Sequence, residues 1–175
     1  MKNNKILIII AAALLALLIY FIINADYNLK FNKINFNDNN VVLNQSVPKY
    51  MDTIVLAGLH VLNCKNTNVM IKKMPAYDMA GMEIKAYIIK YDFGYIIWIK
   101  DMSKMEALLV LSHELVHLKQ HEDKRLIIIN NDIIWDKDMV YKSDEIPDYN
   151  LRPWEIEAFD NQNYIKNEIE NTLFN

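Results

Sequence analysis

The segment 112–117 contains the pattern HExxH, with His113 and His117 flanking Glu114. Histidines four residues apart lie on one face of a helix, so both rings can reach a single Zn²⁺. Glu114 lies beside that metal and can act as a general base toward water. The chain has only four histidines, and a chance match is expected in on the order of one such sequence in a hundred. The pattern therefore predicts a zinc site, against the simpler interpretation of a buried helix that contains two histidines.

A helix from about residue 103 to 121 is predicted around this pattern. Asp101 or Ser103 offers an N-cap, and Ser103 with Glu106 matches a capping box. Apolar residues recur at helical spacing, at Met105, Leu108, Leu111, Leu115 and Leu118. The motif would then lie about midway along the helix.

The remaining protein ligand has three candidates, His121, Glu155 and Glu157. His121 lies eight residues beyond His113, about 12 Å along a helix axis, which is too far for one zinc ion to bind both. We therefore expect His121 on the surface or at the rim of a cleft.

The two glutamates lie on a second predicted helix, which Pro153 opens. Counting by three and four places Glu155 on the less polar face, with Ala158, Phe159 and Gln162. Glu157 shares the opposite face with Asp160, Asn161 and Tyr164. The helical phase favours Glu155 as the ligand. Without the upstream motif, the pair would be interpreted as solvated glutamates that open an amphipathic helix.

The two motifs together resemble those of the gluzincin group of zinc metallopeptidases, in particular its small bacterial and phage-type members. They read His113-Glu-Leu-Val-His117-x-x-Gln120 and Arg152-Pro-Trp-Glu155-x-Glu-Ala158, and the resemblance covers about residues 95 to 164. The first motif is specific, and the second is short and less so.

The resemblance implies a zincin-like α+β fold, peptide or protein substrates, and Zn²⁺ bound by His113, His117 and Glu155, with Glu114 as the catalytic base. Several gluzincins have an aspartate directly after the alanine, where it supports a zinc histidine. Here Phe159 fills that place and Asp160 follows one residue later. The sequence therefore does not identify which residue supports the zinc-binding histidine.

Composition and charge fit one modest domain that does not bind nucleic acid. Hydrophobic residues make up 53% of the 175 residues, which is enough for one core. The net charge of −3 offers no basic footprint for nucleic acid. Cys64 is the single cysteine, so no intrachain disulfide can form, and we interpret it as a small core residue.

The N-terminal segment predicts the location of the protein. An uncharged run of 18 residues, 6–23, would rise about 27 Å as a helix and exceeds the usual h-region of a signal peptide. Cleavage after Ala25 would put Ile23 where a small side chain is needed. We interpret residues 1–24 as an uncleaved membrane anchor, with secretion after signal-peptide cleavage as the alternative.

The residues on either side of the apolar run predict the domain organisation and the orientation in the membrane. Residues 25–46 are polar and predict a tether with one short strand, and residues 47–175 predict the catalytic domain. A weak positive-inside bias comes from Lys2 and Lys5, set against Lys30 and Lys33. It favours a catalytic domain outside the cytoplasm.

Before the HExxH helix, the pattern predicts one helix that Pro48 opens and a hairpin. His60 falls on that helix and is interpreted as structural. The predicted strands are Val69–Ile71, Ala86–Ile89 and Tyr95–Ile99, and a second hairpin joins Leu126–Ile129 to Ile133–Tyr141. Zincins place a substrate-pairing edge strand shortly before the active-site helix, and Tyr95–Ile99 has that place by resemblance. The alternative is an ordinary core strand, which Trp98 and the isoleucines fit equally well.

Taken together, the sequence predicts a membrane-anchored zinc metallopeptidase. Tyr141, Tyr149 and Arg152 are unranked candidates for the donor that stabilises the oxyanion. The alternative is a non-catalytic, zinc-stabilised envelope module that binds a partner. A closed fourth zinc position would indicate the module, and an open one the enzyme.

Overall fold

The computed structural model of the chain describes residues 39–43, 47–74 and 84–174. Residues 36–172 form one compact unit of mixed α+β structure. In chain order its elements are β1 (Asn40–Leu43), α1 (Tyr50–Val61), β2 (Asn68–Lys73), β3 (Ala86–Tyr91), β4 (Gly94–Ile99), α2 (Lys104–Glu122), β5 (Leu126–Ile129), β6 (Asp132–Trp135), β7 (Met139–Tyr141), a short 3₁₀ helix (Tyr149–Leu151) and α3 (Pro153–Phe174).

The first four strands form one sheet in the order β1-β2-β4-β3. Strands β1, β2 and β4 run parallel, while β3 pairs antiparallel with β4 through the predicted hairpin. Gly94 in that hairpin has a φ of 137°, and a Cβ there would lie 2.3 Å from the Asn68 carbonyl oxygen. Only glycine fits so close to the backbone of β2 in this conformation.

Among the described strands, β1 and β3 are the two edges of this sheet and β4 is an inner strand, which corrects the prediction that Tyr95–Ile99 forms the edge strand. Residues 95–99 belong to β4, which is paired on both sides. The Lys100 N–H donates to the Lys85 carbonyl at 2.9 Å, continuing the β3–β4 ladder. Alternation along an antiparallel pair then turns the N–H and C=O of Ile88 away from β4, toward the side of β3 on which no described strand pairs.

Helix α2 begins at Lys104, close to the predicted start. Ser103 is the N-cap, and its side chain accepts a hydrogen bond from the Glu106 N–H at 3.3 Å. The Glu106 carboxylate pairs with Lys85 at 2.7 Å. Met105 was expected in the apolar stripe but is 63% exposed, because it precedes the turn at which the helix reaches the core.

The main core lies between the sheet and helices α1 and α2. Its fully buried members include Met51, Ile54, Leu59, Ile71, Ile97, Leu111, Leu115 and Leu118. Gly58 lets α1 approach α2 closely, since a Cβ there would lie 2.3 Å from Leu115 Cδ1. Burial of each large apolar side chain contributes about 1.5–3 kcal/mol, so this packing holds the HExxH segment rigidly.

A second sheet, β5-β6-β7, follows α2 as an antiparallel meander. It contains three strands, where a single hairpin was predicted. Asn130 and Asn131 form the first turn with φ values of 51° and 71°, a conformation that asparagine tolerates well. Leu126, Trp135 and Trp154 form a small buried cluster that packs this sheet against the start of α3.

The predicted anchor, residues 1–24, lies outside the described residues. The predicted tether, 25–46, is described only at 39–43, where β1 pairs with β2. Among the helices of the described part of the chain, none has the length and hydropathy needed to cross a membrane.

Candidate metal centre

Helix α2 carries His113 and His117 on its buried face, one turn apart. Their Nε2 atoms are 3.1 Å apart. Both rings are held in place because the helix is packed on α1 and on β3. The HExxH spacing thus places both rings on one face of the helix, as predicted.

Glu155, in the first turn of α3, completes a three-residue group with the two histidines. Its Oε2 atom lies 3.3 Å from the Nε2 of His113 and 3.3 Å from that of His117. All three residues are buried, and each offers one ligand atom to a common centre. We refer to these three residues, which could hold a metal ion, as the metal-binding group.

Glu157 points away from this group and pairs with Arg125. The guanidinium contacts both of its carboxylate oxygens at 2.7 Å and also bonds Asp136. Arg125 lies over the Trp135 ring at 4.8 Å as well. Glu157 therefore ties α3 to the second sheet, in keeping with the helical phase that favoured Glu155 as the ligand.

His121 is buried, which corrects the expectation that it lies on the surface or at a cleft rim. Its Nδ1 donates a hydrogen bond to the Leu126 carbonyl at 2.7 Å. Burial is the main cause that lowers its pKa to about 4. The side chain ties the end of α2 to β5, and it is not a member of the metal-binding group.

Electrostatics in the group favour a positive charge at its centre. Burial opposes ionisation of Glu155, but hydrogen bonds from His113 and His117 outweigh it and hold the Glu155 pKa well below its usual range. Burial also lowers the pKa of His117, yet the hydrogen bond and charge of Glu155 and the charge of Glu114 raise it on balance. Both directions describe a site that stabilises a cation.

Glu114 lies beside this group as a buried carboxylate. Burial raises its pKa, although the neighbouring histidines act in the opposite direction. The Ile88 N–H of the edge strand β3 donates a hydrogen bond to this carboxylate. Glu114 is therefore connected both to the metal-binding group and to the sheet edge.

The two histidine rings differ in what holds their other nitrogen. His117 Nδ1 bonds Gln120 Oε1 at 2.9 Å. His113 Nδ1 is buried and has no hydrogen-bond partner within the described residues. The Phe159 ring packs edge-on against His113, with centroids 4.7 Å apart.

Of the three candidate oxyanion donors, Tyr149 lies at the group. Its hydroxyl bonds the Glu155 carboxylate, and burial followed by this bond raises the Tyr149 pKa. The Tyr141 hydroxyl instead faces Met139 Sδ at 3.8 Å. Arg152 donates to the Pro147 carbonyl at 3.0 Å and lies over the Tyr149 ring.

Two contributors at this site carried no assigned role in the sequence analysis, Gln120 and the Ile88 N–H. Gln120 lies three residues after His117, and this spacing on a helix already places both side chains on one face. No local pattern identifies Ile88, because its role depends on which strand lies at the edge.

Two further residues lie apart from the group. Cys64 is buried, and burial raises its thiol pKa to about 11, so it is a neutral core residue, as predicted. His60 is exposed near the end of α1 and is not a member of the metal-binding group.

Comparisons of this chain with protein-family models, curated proteins and solved structures give no match. The resemblance to gluzincins therefore depends on the motifs and on the geometry of this group.

Proposed function

We propose that this protein is a zinc-dependent metallopeptidase of the gluzincin type, with Zn²⁺ held by His113, His117 and Glu155. The observation that carries the proposal is the spacing of the three ligand atoms, 3.1, 3.3 and 3.3 Å. A tetrahedral zinc ion with bonds of about 2.0–2.1 Å separates its ligand atoms by about 3.3 Å. Two histidines and a glutamate are also a ligand set that catalytic zinc sites use.

Zn²⁺ in this position would supply a Lewis acid that lowers the pKa of bound water to about 7 and polarises a peptide carbonyl. Glu114 would accept the proton of the attacking water at its carboxylate and return it to the leaving amine. The burial that raises the pKa of Glu114 makes it a stronger base for this task. Tyr149 is the best placed of the three donors, since its hydroxyl already bonds Glu155.

Strand β3, which pairs with β4 alone among the described strands, is the proposed docking strand for an extended peptide. Helix α2 packs against this strand, and the Ile88 N–H reaches Glu114 from it. A substrate that pairs with β3 would therefore lie across the proposed catalytic base. This replaces the earlier assignment of that role to residues 95–99.

Glu114 also favours an enzyme over a non-catalytic zinc-stabilised module. A structural zinc site is closed by four protein ligands, whereas the group found in the described residues contains three. The Glu114 carboxylate is buried next to the group without belonging to it. Burying a carboxylate costs free energy, and a role as base accounts for its presence.

The N-terminal segment supports the proposed location. We keep the assignment of residues 1–24 as a membrane anchor, with the catalytic domain outside the cytoplasm, on the strength of the 18-residue apolar run. The proposed partners are a peptide or protein substrate and the membrane, with no nucleic acid.

Replacement of the proposed base tests the activity. We expect Glu114→Gln to keep one zinc ion per chain, because Glu114 is not a ligand, and to lose about 10²–10⁴-fold in hydrolysis. The measurement combines metal analysis of the full-length protein in detergent with digestion of a peptide library. Equal turnover by wild type and variant would remove the catalytic assignment.

Ligand variants provide the matched controls for this experiment. Glu155→Ala is expected to lose the zinc, and Glu157→Ala and His121→Ala are expected to keep it, because neither side chain reaches the group. Zinc loss in Glu157→Ala with retention in Glu155→Ala would overturn the ligand set.

A further inference from the structure

The Gln120 side chain lies between the two helices that carry the metal-binding group. It is almost completely buried, at 1% exposure. Its Oε1 atom is 2.9 Å from His117 Nδ1, and its Nε2 atom donates to the Trp154 carbonyl at 3.0 Å. One carboxamide therefore joins α2 to the first turn of α3.

The second of these bonds determines the direction of the first. The Trp154 carbonyl can only accept, so the amide nitrogen of Gln120 must face it. The amide oxygen then faces His117, and Nδ1 of that ring must carry the proton. In the neutral ring, His117 Nε2 then carries the lone pair, which is directed toward His113 Nε2 and Glu155 Oε2 at 3.1 and 3.3 Å.

The Trp154 carbonyl belongs to the residue directly before Glu155, so a bond to it fixes backbone next to a member of the metal-binding group. The Trp154 ring is buried in the small cluster with Leu126 and Trp135, so its backbone position is held by packing. A bond to this carbonyl thus relates the position of His117 to that of Glu155. Within the described residues His113 Nδ1 has no comparable partner.

We propose that Gln120 is a positioning residue of the metal centre. It selects the tautomer of His117 that exposes Nε2 to the metal, and it holds this ring in register with Glu155 through Trp154. The inference depends on the proposed zinc site but not on peptide hydrolysis. Its failure is therefore distinguishable from failure of the enzymatic proposal.

Zinc affinity of Gln120 variants provides the first test. Methionine has a similar length but its sulfur is only a weak acceptor and cannot donate to the Trp154 carbonyl, so Gln120→Met is expected to bind Zn²⁺ about 10- to 100-fold more weakly. Gln120→Glu keeps an acceptor and should lie closer to wild type, even if the protein becomes less stable. Gln162→Met, on the partly exposed side of α3, is the matched control and should bind like wild type. The measurement is competition with a chromophoric chelator, on full-length protein in detergent.

The protonation of the ring provides a second readout that packing alone would not change. In zinc-loaded protein labelled with ¹⁵N-histidine, the His117 Nδ1 proton should exchange slowly in wild type and Gln120→Glu. It should exchange faster in Gln120→Met, while the His121 Nδ1 proton, bonded to Leu126, stays slow in all three.

Two results would overturn the inference. One is wild-type zinc affinity in Gln120→Met, which would reduce Gln120 to a packing residue. The other needs no variant and remains decisive if Gln120→Met does not fold: a fast-exchanging His117 Nδ1 proton in zinc-loaded wild type. A wild type that binds no Zn²⁺ would overturn this inference together with the proposed zinc site.

Discussion

At the scale of single residues, the two histidines of the candidate metal centre are supported unequally. His117 has a hydrogen-bond acceptor in Gln120, whereas His113 Nδ1 is buried without one in the described structure. An unsatisfied buried donor costs about 1–3 kcal/mol. The Phe159 ring packs against His113, at the place where several gluzincins have an aspartate.

This imbalance leads to a gain-of-function prediction at Phe159. Because the side chain is 45% exposed, Phe159→Asp should be tolerated by the fold. A carboxylate there would accept the His113 Nδ1 proton, and we expect zinc to bind about tenfold or more tightly. Chelator competition measures this change.

Phe159→Ala is the control, because it removes the ring without adding an acceptor. Equal zinc affinities in the alanine and aspartate variants would show that position 159 does not serve His113.

At the scale of elements, the second sheet holds the start of α3 in place. Trp154 packs on Trp135 and Tyr141, with ring centroids 6.2 and 5.5 Å away. Arg125 pairs with Glu157 one turn further along the helix. Glu155 lies between these two attachments, so the meander positions a member of the candidate metal centre that it does not itself contain.

Burial of the His121 side chain should make the stability of the fold depend on pH. The folded pKa of about 4 lies below the ordinary 6.5, so the unfolded chain binds a proton at higher pH than the folded chain. The unfolding free energy is therefore unaffected by protonation of His121 above about pH 6.5, where the ring is neutral in both states, and it falls as the pH decreases toward 4. The shift corresponds to about 3 kcal/mol of unfolding free energy.

Chemical denaturation of zinc-free protein between pH 7 and pH 4.5 measures this effect. His121→Gln keeps a donor for the Leu126 carbonyl but does not titrate, so its unfolding free energy should decline less with acid. Parallel declines in wild type and variant would contradict the assignment.

At the scale of the whole molecule, the compact unit 36–172 is expected to be held at a membrane by residues 1–24. The full chain should then fractionate with membranes, resist alkaline extraction and keep its N-terminal peptide. Protease added to intact cells should digest the compact unit if it lies outside the cytoplasm.

Two results would contradict this topology. A mature form that begins near Asp26 would indicate a cleaved signal peptide, and protection of the compact unit from the protease would place it inside the cytoplasm.

Much of the candidate site could be predicted from local sequence. The N-cap at Ser103 and the spacing of His113 and His117 predicted the helix and its histidine pair, and the phase after Pro153 separated Glu155 from Glu157. These features repeat with the period of a helix, so neighbouring residues contain the information needed to predict them.

Tertiary structure alone decided the rest. Both arms of the β3–β4 hairpin are rich in isoleucine and aromatic residues, and β4 became the inner strand only because it pairs with β2. The hydrogen bonds from His121 to Leu126 and from Gln120 to Trp154 likewise join residues from different elements. Such contacts depend on how distant segments pack, and the periodicity of one segment contains no information about the partner that it will meet.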